Sequence, residues 1–557
     1  MTSRSPRAVL LSFLTLVCLA LIGLTPAADA GTATQETLGQ GPGDALGVVV
    51  ELGDLDGDGK IERAVGSPLE DNGAGVDAGA VRVLSGADGS VLMLLEGDRA
   101  GGRLGRSIAA VGDLDGDGTT DLALGAPATG AAGETGRVFL VSGASGAVLS
   151  VLQGAEVGSE YGHAVSAAGD LDGDGTADLV VGAPGHDGAG VERGAAFLVS
   201  GADGTVIEQV DGDGDGDRLG LSVDGGGTAF SDPDSGVAIG AEQGGAGGQG
   251  KGYTRLYDRA TLALSATFTG ASAWDRLGSV VRYVGDVDGD GKADLVVGTD
   301  PRDAAGDPTA LGYVRVLSGA DGTEIHAFSG AALDTGYGSR LAALGDVDGD
   351  GFADLAIGAP RADLNFVDAG FIEVRSGADG SILQKVSGQA AGDLFGQSLA
   401  SAGDVDGDGS ADLAVASPGS DVAAPDAGLV QVISFETWAN LGAGVAGSGG
   451  IVPKLEGEGS MEPLSEVTLT LTDARPLADV DLVLGYSAYV DPLTGCLAPV
   501  PDVIVEDLQT DAAGDLTYVH TWPAVASEAI VYYQFLIADP EAPGGQARSN
   551  TLSGRTP

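Results

Sequence analysis

The sequence predicts an all-β protein built from tandem repeats. An acidic loop returns six times, its copies about 58 residues apart. Short Val/Leu/Ala runs bounded by Gly, Asp and Ser dominate the chain, and few residues follow the period of an amphipathic helix. Glycine is abundant, 97 of 557 residues, yet 43% of the chain is apolar. That balance describes a turn-rich globular protein rather than a disordered one. A repeat of this length, at or a little above the usual range, means a solenoid, a propeller or an array.

Residues 1–30 read as a secretory signal peptide. Arg4 and Arg7 give the basic start, Val9 to Leu24 the apolar stretch, and Ala28-Asp29-Ala30 the small-residue cleavage site. No later segment is long and apolar enough to span a bilayer as a helix. The formal charge is −54, from 27 basic and 81 acidic residues. Such a surface repels nucleic acid and anionic membranes and suits a protein that binds several cations. Of the two cysteines, Cys18 lies in the signal, which leaves Cys496 alone and no intramolecular disulfide in the processed chain.

The loops start at Asp54, Asp113, Asp170, Asp286, Asp346 and Asp404, separated by 59, 57, 116, 60 and 58 positions. The interval of 116 is two periods, so one repeat has kept its length and lost its loop. Each loop places acids at positions one, three, five and nine, with glycine at four and six. The first copy uses Asp54, Asp56, Asp58 and Glu62, the second Asp113, Asp115, Asp117 and Asp121, and the third Asp170, Asp172, Asp174 and Asp178. The later copies use Asp286, Asp288, Asp290 and Asp294, then Asp346, Asp348, Asp350 and Asp354, then Asp404, Asp406, Asp408 and Asp412. Hard oxygen donors at alternating positions of a tight turn are what calcium takes. The backbone carbonyl of position seven adds a ligand from Lys60, Thr119, Thr176, Lys292, Phe352 or Ser410. The acid at nine is expected to close the site with two oxygens. The pattern matches the first nine residues of an EF-hand loop but lacks its Glu at twelve. An apolar run such as Leu122-Ala-Leu124 follows instead, so the loop joins two strands.

At the phase of the missing loop stands Ser231-Asp-Pro-Asp-Ser-Gly236, with too few acids to hold an ion. The run Asp211, Asp213, Asp215 and Asp217 alternates with glycine but has Leu219 at the ninth place, and reads as a flexible solvated turn.

The flanks repeat too. Upstream stand Leu46-Gly47, Leu104-Gly105, Tyr161-Gly162, Leu219-Gly220, Leu277-Gly278, Tyr337-Gly338 and Phe395-Gly396. Downstream stand Gly66-Ser-Pro68, Gly125-Ala-Pro127, Gly182-Ala-Pro184, Gly240-Ala-Glu242, Gly298-Thr-Asp300, Gly358-Ala-Pro360 and Ala416-Ser-Pro418. This pattern resembles the FG-GAP repeat family, the modules of the integrin α-subunit propeller and its bacterial relatives, over about residues 33–436. Seven repeats then imply a seven-bladed β-propeller over 31–437, each blade a four-stranded antiparallel sheet. One strand precedes the acidic loop (Ser107 to Val111) and one follows it (Asp121 to Leu124). A third ends at a Ser-Gly-Ala-Asp-Gly hairpin (Val81 to Leu84), and the fourth leaves that hairpin (Ser90 to Leu95).

The last repeat has a third strand, Leu429 to Phe435, and no fourth, whereas Thr32 to Gly39 precedes the first repeat with the spacing of a fourth strand. The N-terminal segment is therefore expected to complete the last blade and to remove an exposed edge. Strand order puts the acidic loops and the hairpins on one face, and the post-GAP segments and inter-repeat connections on the other. Integrin-like propellers engage partners on that second face, so the resemblance implies structural ions.

Residues 438–451 read as a Gly/Ala/Ser-rich linker. Residues 452–557 read as a small β-sandwich, from alternating runs such as Val467-Thr-Leu-Thr-Leu and Ile530 to Ile537. The chain thus reads as a secreted or cell-surface calcium-binding propeller with about six structural ions. Its expected role is adhesion or recognition of an extracellular protein or glycan. Candidate contacts are Trp274, Asp275, Arg276, Arg302, Arg361, Asn365 and Phe366. One alternative is a secreted hydrolase or lyase acting on polysaccharide or lipid; another is a purely structural envelope protein. Against an enzyme, His163, His186, His326 and His520 fall in four unrelated contexts with no zinc spacing, and no nucleophile elbow with a triad is evident.

Overall fold

The computed structural model describes residues 33–434, apart from 129–132, 189, 227–235, 245–249, 301–310, 331–334, 349, 364–365 and 406–409, and backbone strands between 438 and 555. Among the described residues every element is a strand. Among the described residues no helix is long and apolar enough to cross a membrane.

Seven four-stranded antiparallel sheets form the blades of a propeller. Blade one is Val48–Gly53, Glu62–Ser67, Ala80–Leu84 and Val91–Glu96. The next blades begin at Ser107–Ala110, Ala164–Gly169, Leu219–Asp224, Val280–Val284, Arg340–Gly345 and Ser398–Gly403. The first strand of each blade lies against the first strand of the next, and the seventh meets the first, so the ring is closed. The second strands are buried throughout, as in Glu62–Ser67, Asp178–Ala183 and Asp354–Ala359. This explains their continuous apolar runs. The outermost strands alternate, as in Val91–Glu96.

The N-terminal segment completes the last blade as expected. Ala33–Leu38 pairs antiparallel with Leu429–Ile433. Its Gln35 accepts from Arg63 and donates to the Gly86 carbonyl, which ties the added strand to blade one. The expected boundaries shift by one or two residues, with Leu122–Ala126 for the strand after the loop and Val91–Glu96 for the fourth.

The repeated flanks are the joints between blades. Leu46, Leu104, Tyr161, Leu219, Leu277, Tyr337 and Phe395 are all buried. Backbone bridges link six of them to the glycine before the third strand of the preceding blade, as in Leu104 with Gly79 and Leu46 with Gly428. In six of the seven the glycine that follows reaches the GAP glycine of that same preceding blade. A Cβ on Gly125 would stand 2.1 Å from the Gly162 carbonyl oxygen, and one on Gly182 1.9 Å from that of Gly220. The hydrophobic core accordingly sits between blades. One cluster joins Ala109, Val138 and Leu140 of blade two to Val165, Leu179 and Val181 of blade three.

Trp438–Asn440 is a strand paired with Leu552–Arg555 near the end of the chain. Residues 441–453 lie outside the described residues. Asp479–Gly485, Val503–Gln509 and Ile530–Ala538 share that same sheet, and Lys454–Glu458, Glu466–Thr472 and Leu516–Thr521 form another.

Candidate metal centres

The acidic loops join the first and second strands of their blades. The glycines at positions four and six carry the turn. Gly116 and Gly118 have φ of 82° and 90°, in the left-handed region where a side chain is strained, and their counterparts in the other described loops match. The acids then fold inward on the backbone. Asp113 accepts from the amides of Gly116 at 2.6 Å and Gly118 at 2.9 Å, and Asp115 from that of Asp117 at 3.1 Å. Asp54, Asp170 and Asp286 repeat the first pattern. At position seven, Lys60, Thr119, Thr176, Lys292 and Phe352 donate their amides to the acid at five.

Ligand-type oxygens converge in five loops, each within 4.8 Å of the others in its group. The sets are Asp54, Asp56 and Asp58; Asp113, Asp115 and Asp121; Asp170, Asp172 and Asp178; Asp286, Asp288 and Asp290; and Asp346, Asp348 and Asp354. All are carboxylates, so the donor set fits a hard divalent cation, and glycine leaves the rim open. In the sixth loop, Asp406 and Asp408 lie outside the described residues. Its Asp404 and Ser410 flank that gap, and its Asp412 is buried and accepts from the Val405 amide at 2.8 Å. The slot at 231–235 is likewise outside them.

Position nine does more than the sequence suggests. Asp121, Asp178, Asp294 and Asp354 are fully buried, as is Glu62. One oxygen of Asp121 accepts from the Leu114 amide at 2.8 Å, the other from the Gly143 amide in the hairpin of the same blade at 2.9 Å. Glu62, Asp178, Asp294 and Asp354 bridge their loop and hairpin in the same way. Burial pushes the Asp294 and Asp354 carboxyls up to about 6, against those backbone bonds and with help from the neighbouring acids. The loops also touch around the ring. Lys60 donates to the Asp404 carbonyl at 2.8 Å, and the Ala353 amide to that of Asp286 at 2.9 Å.

Two expectations need correction. Asp217 is buried rather than solvated, accepting from the amides of Asp213 and Gly214 and from the Tyr253 hydroxyl at 2.9 Å. On the opposite face, Arg276 is buried beside Glu242, and Asp275 is taken by the Tyr313 hydroxyl and the Ser272 amide. Arg361 pairs with Asp300 at 2.8 Å, Trp274 is half-buried and Phe366 is exposed. Arg302 and Asn365 lie outside the described residues. Sequence reading missed an ionic run on this face. Arg106 donates to His163, His163 meets Glu160, and Arg218 links Glu160 to Glu242. The arginines and Glu160 stand just beside the repeated aromatic-glycine or leucine-glycine pairs, the one available signal.

The loops, the buried aromatic or leucine residues and the paired glycines are the features that known proteins share with this chain. The FG-GAP repeat family matches residues 104–141, 161–199, 337–372 and 395–433. These four stretches carry FG-GAP repeats, and the chain is similar in part to integrin α chains. The chain is 38% identical to integrin alpha-5 of Xenopus laevis over 168 residues, 28% of this chain and 16% of that protein. It is 32% identical to integrin alpha-V of Gallus gallus over 166 residues (28% and 15%), and 35% identical to integrin alpha-IIb of Homo sapiens over 162 (27% and 16%). The matched stretch is thus about one-sixth of the length of these relatives.

Proposed function

We propose that the chain is a secreted or cell-surface calcium-binding propeller that serves as a non-enzymatic adhesion or recognition module for an extracellular protein or glycan. The observation that carries the reading is the convergence of three carboxylate oxygens within 4.8 Å in each of five loops. Strand order places these loops on one face, which leaves the post-GAP segments on the other free to engage a partner. The kinship with integrin α chains supports the recognition role and the cell-surface setting.

The ions act as stiffeners. Without a cation each loop crowds like charges together. At an affinity of about 0.1 mM in about 1 mM calcium, each site adds roughly 1.4 kcal/mol, and six add roughly 8. That is comparable to the whole stability of a typical domain. A glycan array and a pull-down from extracellular material, each with and without calcium, test the role. Calcium-dependent capture without turnover supports it. Turnover of a captured polysaccharide or lipid overturns it.

A further inference from the structure

In five blades the buried acid at loop position nine is matched by a glycine at the second place of the outer hairpin. Gly86, Gly143, Gly201, Gly319 and Gly377 donate their amides to Glu62, Asp121, Asp178, Asp294 and Asp354. The hairpin residue must be glycine there. A Cβ would stand 1.9–2.4 Å from the carbonyl oxygen at loop position eight. Blade four has neither the acid nor the hairpin glycine at these places. Gly236 directly precedes the second strand, Val237–Ala241, where the other blades hold the acid, and Arg259 takes the hairpin place. The register is unchanged, since Val237 pairs with Tyr257 as Leu122 pairs with Val141. The hairpin bond is kept as well, from the Leu262 amide to the Asp258 carbonyl at 2.8 Å.

Arg259 also replaces a packing contact. At three other junctions the side chain at loop position eight covers the glycine that precedes the neighbouring loop. Ala177 covers Gly112, Ala353 covers Gly285, and Ile61 covers Gly403. At the junction of blades three and four the cover on Gly169 is the Arg259 guanidinium, 2.9 Å from where a Cβ would be. The same group donates to the Gly225 carbonyl, at the end of the first strand of its own blade, at 2.7 Å.

We propose that Arg259 is a built-in cation, holding blade four and its junction with blade three where the other blades rely on a loop acid and an ion. The proposal rests on the calcium reading of the other loops only for the contrast between blades. Blade four would then keep its shape whether or not calcium is present.

Hydrogen–deuterium exchange of the whole protein in calcium and in EGTA tests this, with Arg259→Met and the milder Arg259→Lys beside the wild type. In wild type, peptides spanning 219–226 and 253–262 should exchange equally in both buffers, while peptides spanning the acidic loops exchange faster in EGTA. Arg259→Met should speed exchange of 164–169 and 253–262 about tenfold in either buffer, the effect of one charge-assisted bond on local opening. Arg259→Lys should give a smaller change of the same kind and serves if the first variant does not fold. Unchanged exchange in both variants, or blade four responding to EGTA like its neighbours, overturns the proposal. If no blade responds to EGTA, the calcium reading fails, and the Arg259 variants alone decide the role of Arg259.

Discussion

The acids of one loop divide their work by burial. Asp115 at position three is exposed and bonds only within its loop, whereas Asp121 at nine is buried and holds two backbone amides. Asp121→Ala should therefore cost about 2–6 kcal/mol even in EGTA, since each of the two orphaned amides costs about 1–3. Asp115→Ala should stay within about 0.5 kcal/mol in EGTA and lose only the stabilisation calcium adds. Urea unfolding in both buffers separates the two. His163 makes a second residue-level prediction. Burial, reinforced by Arg106, holds its imidazole down at about 4 against an ordinary 6.5. A depressed base contributes stability above the unfolded value, and this is lost as pH falls from 6.5 toward 4. Between pH 7 and pH 5 the wild type should lose on the order of 2 kcal/mol relative to His163→Gln. Parallel slopes for the two proteins would show that His163 titrates as in the unfolded chain. The raised Asp294 and Asp354 carboxyls have the opposite sign. In metal-free protein their contribution is present below 3.8 and is lost as pH rises through about 6.

At the scale of the element, the joint between blades is where sequence and fold meet most directly. The bulky residue and the two glycines of each repeat could be read as a pattern. Their reason is visible only in space, because the carbonyl that excludes a side chain from Gly125 belongs to Gly162 of the next blade. The exception follows the same logic. Ala416 replaces the GAP glycine of blade seven, and it faces blade one, whose stretch from Leu46 to Asp54 is one residue shorter than that from Leu104 to Asp113. Gly47 there lacks the positive φ of Gly105 and Gly162. The added outer strand of blade seven yields a direct test. Deleting residues up to Leu38 uncovers the edge at Leu429–Ile433 and removes the Gln35 partner of Arg63. The truncated protein should melt at least several degrees lower and elute partly as aggregate on size exclusion. An unaltered melting curve would show that the strand does not hold the ring.

Across the whole molecule, the fold was legible because the ring repeats one short message seven times, and phase survives substitution. The acids of five loops were legible for the same reason: alternation along a tight turn brings their oxygens together without help from the rest of the chain. What stayed hidden depends on partners distant in sequence. Asp217 is buried because Tyr253, 36 residues on, reaches it. Position nine serves the hairpin because Gly143 stands 22 residues away. Arg276 leaves the list of exposed anchors because Glu242 of the preceding blade is beside it.

The charge of −54 and the ring of acidic loops both ask for cations. Equilibrium dialysis of the protein against about 1 mM labelled calcium tests that most directly. The account predicts about six ions per chain, falling to about five in Asp288→Ala. Fewer than about one ion per chain at that concentration would contradict it.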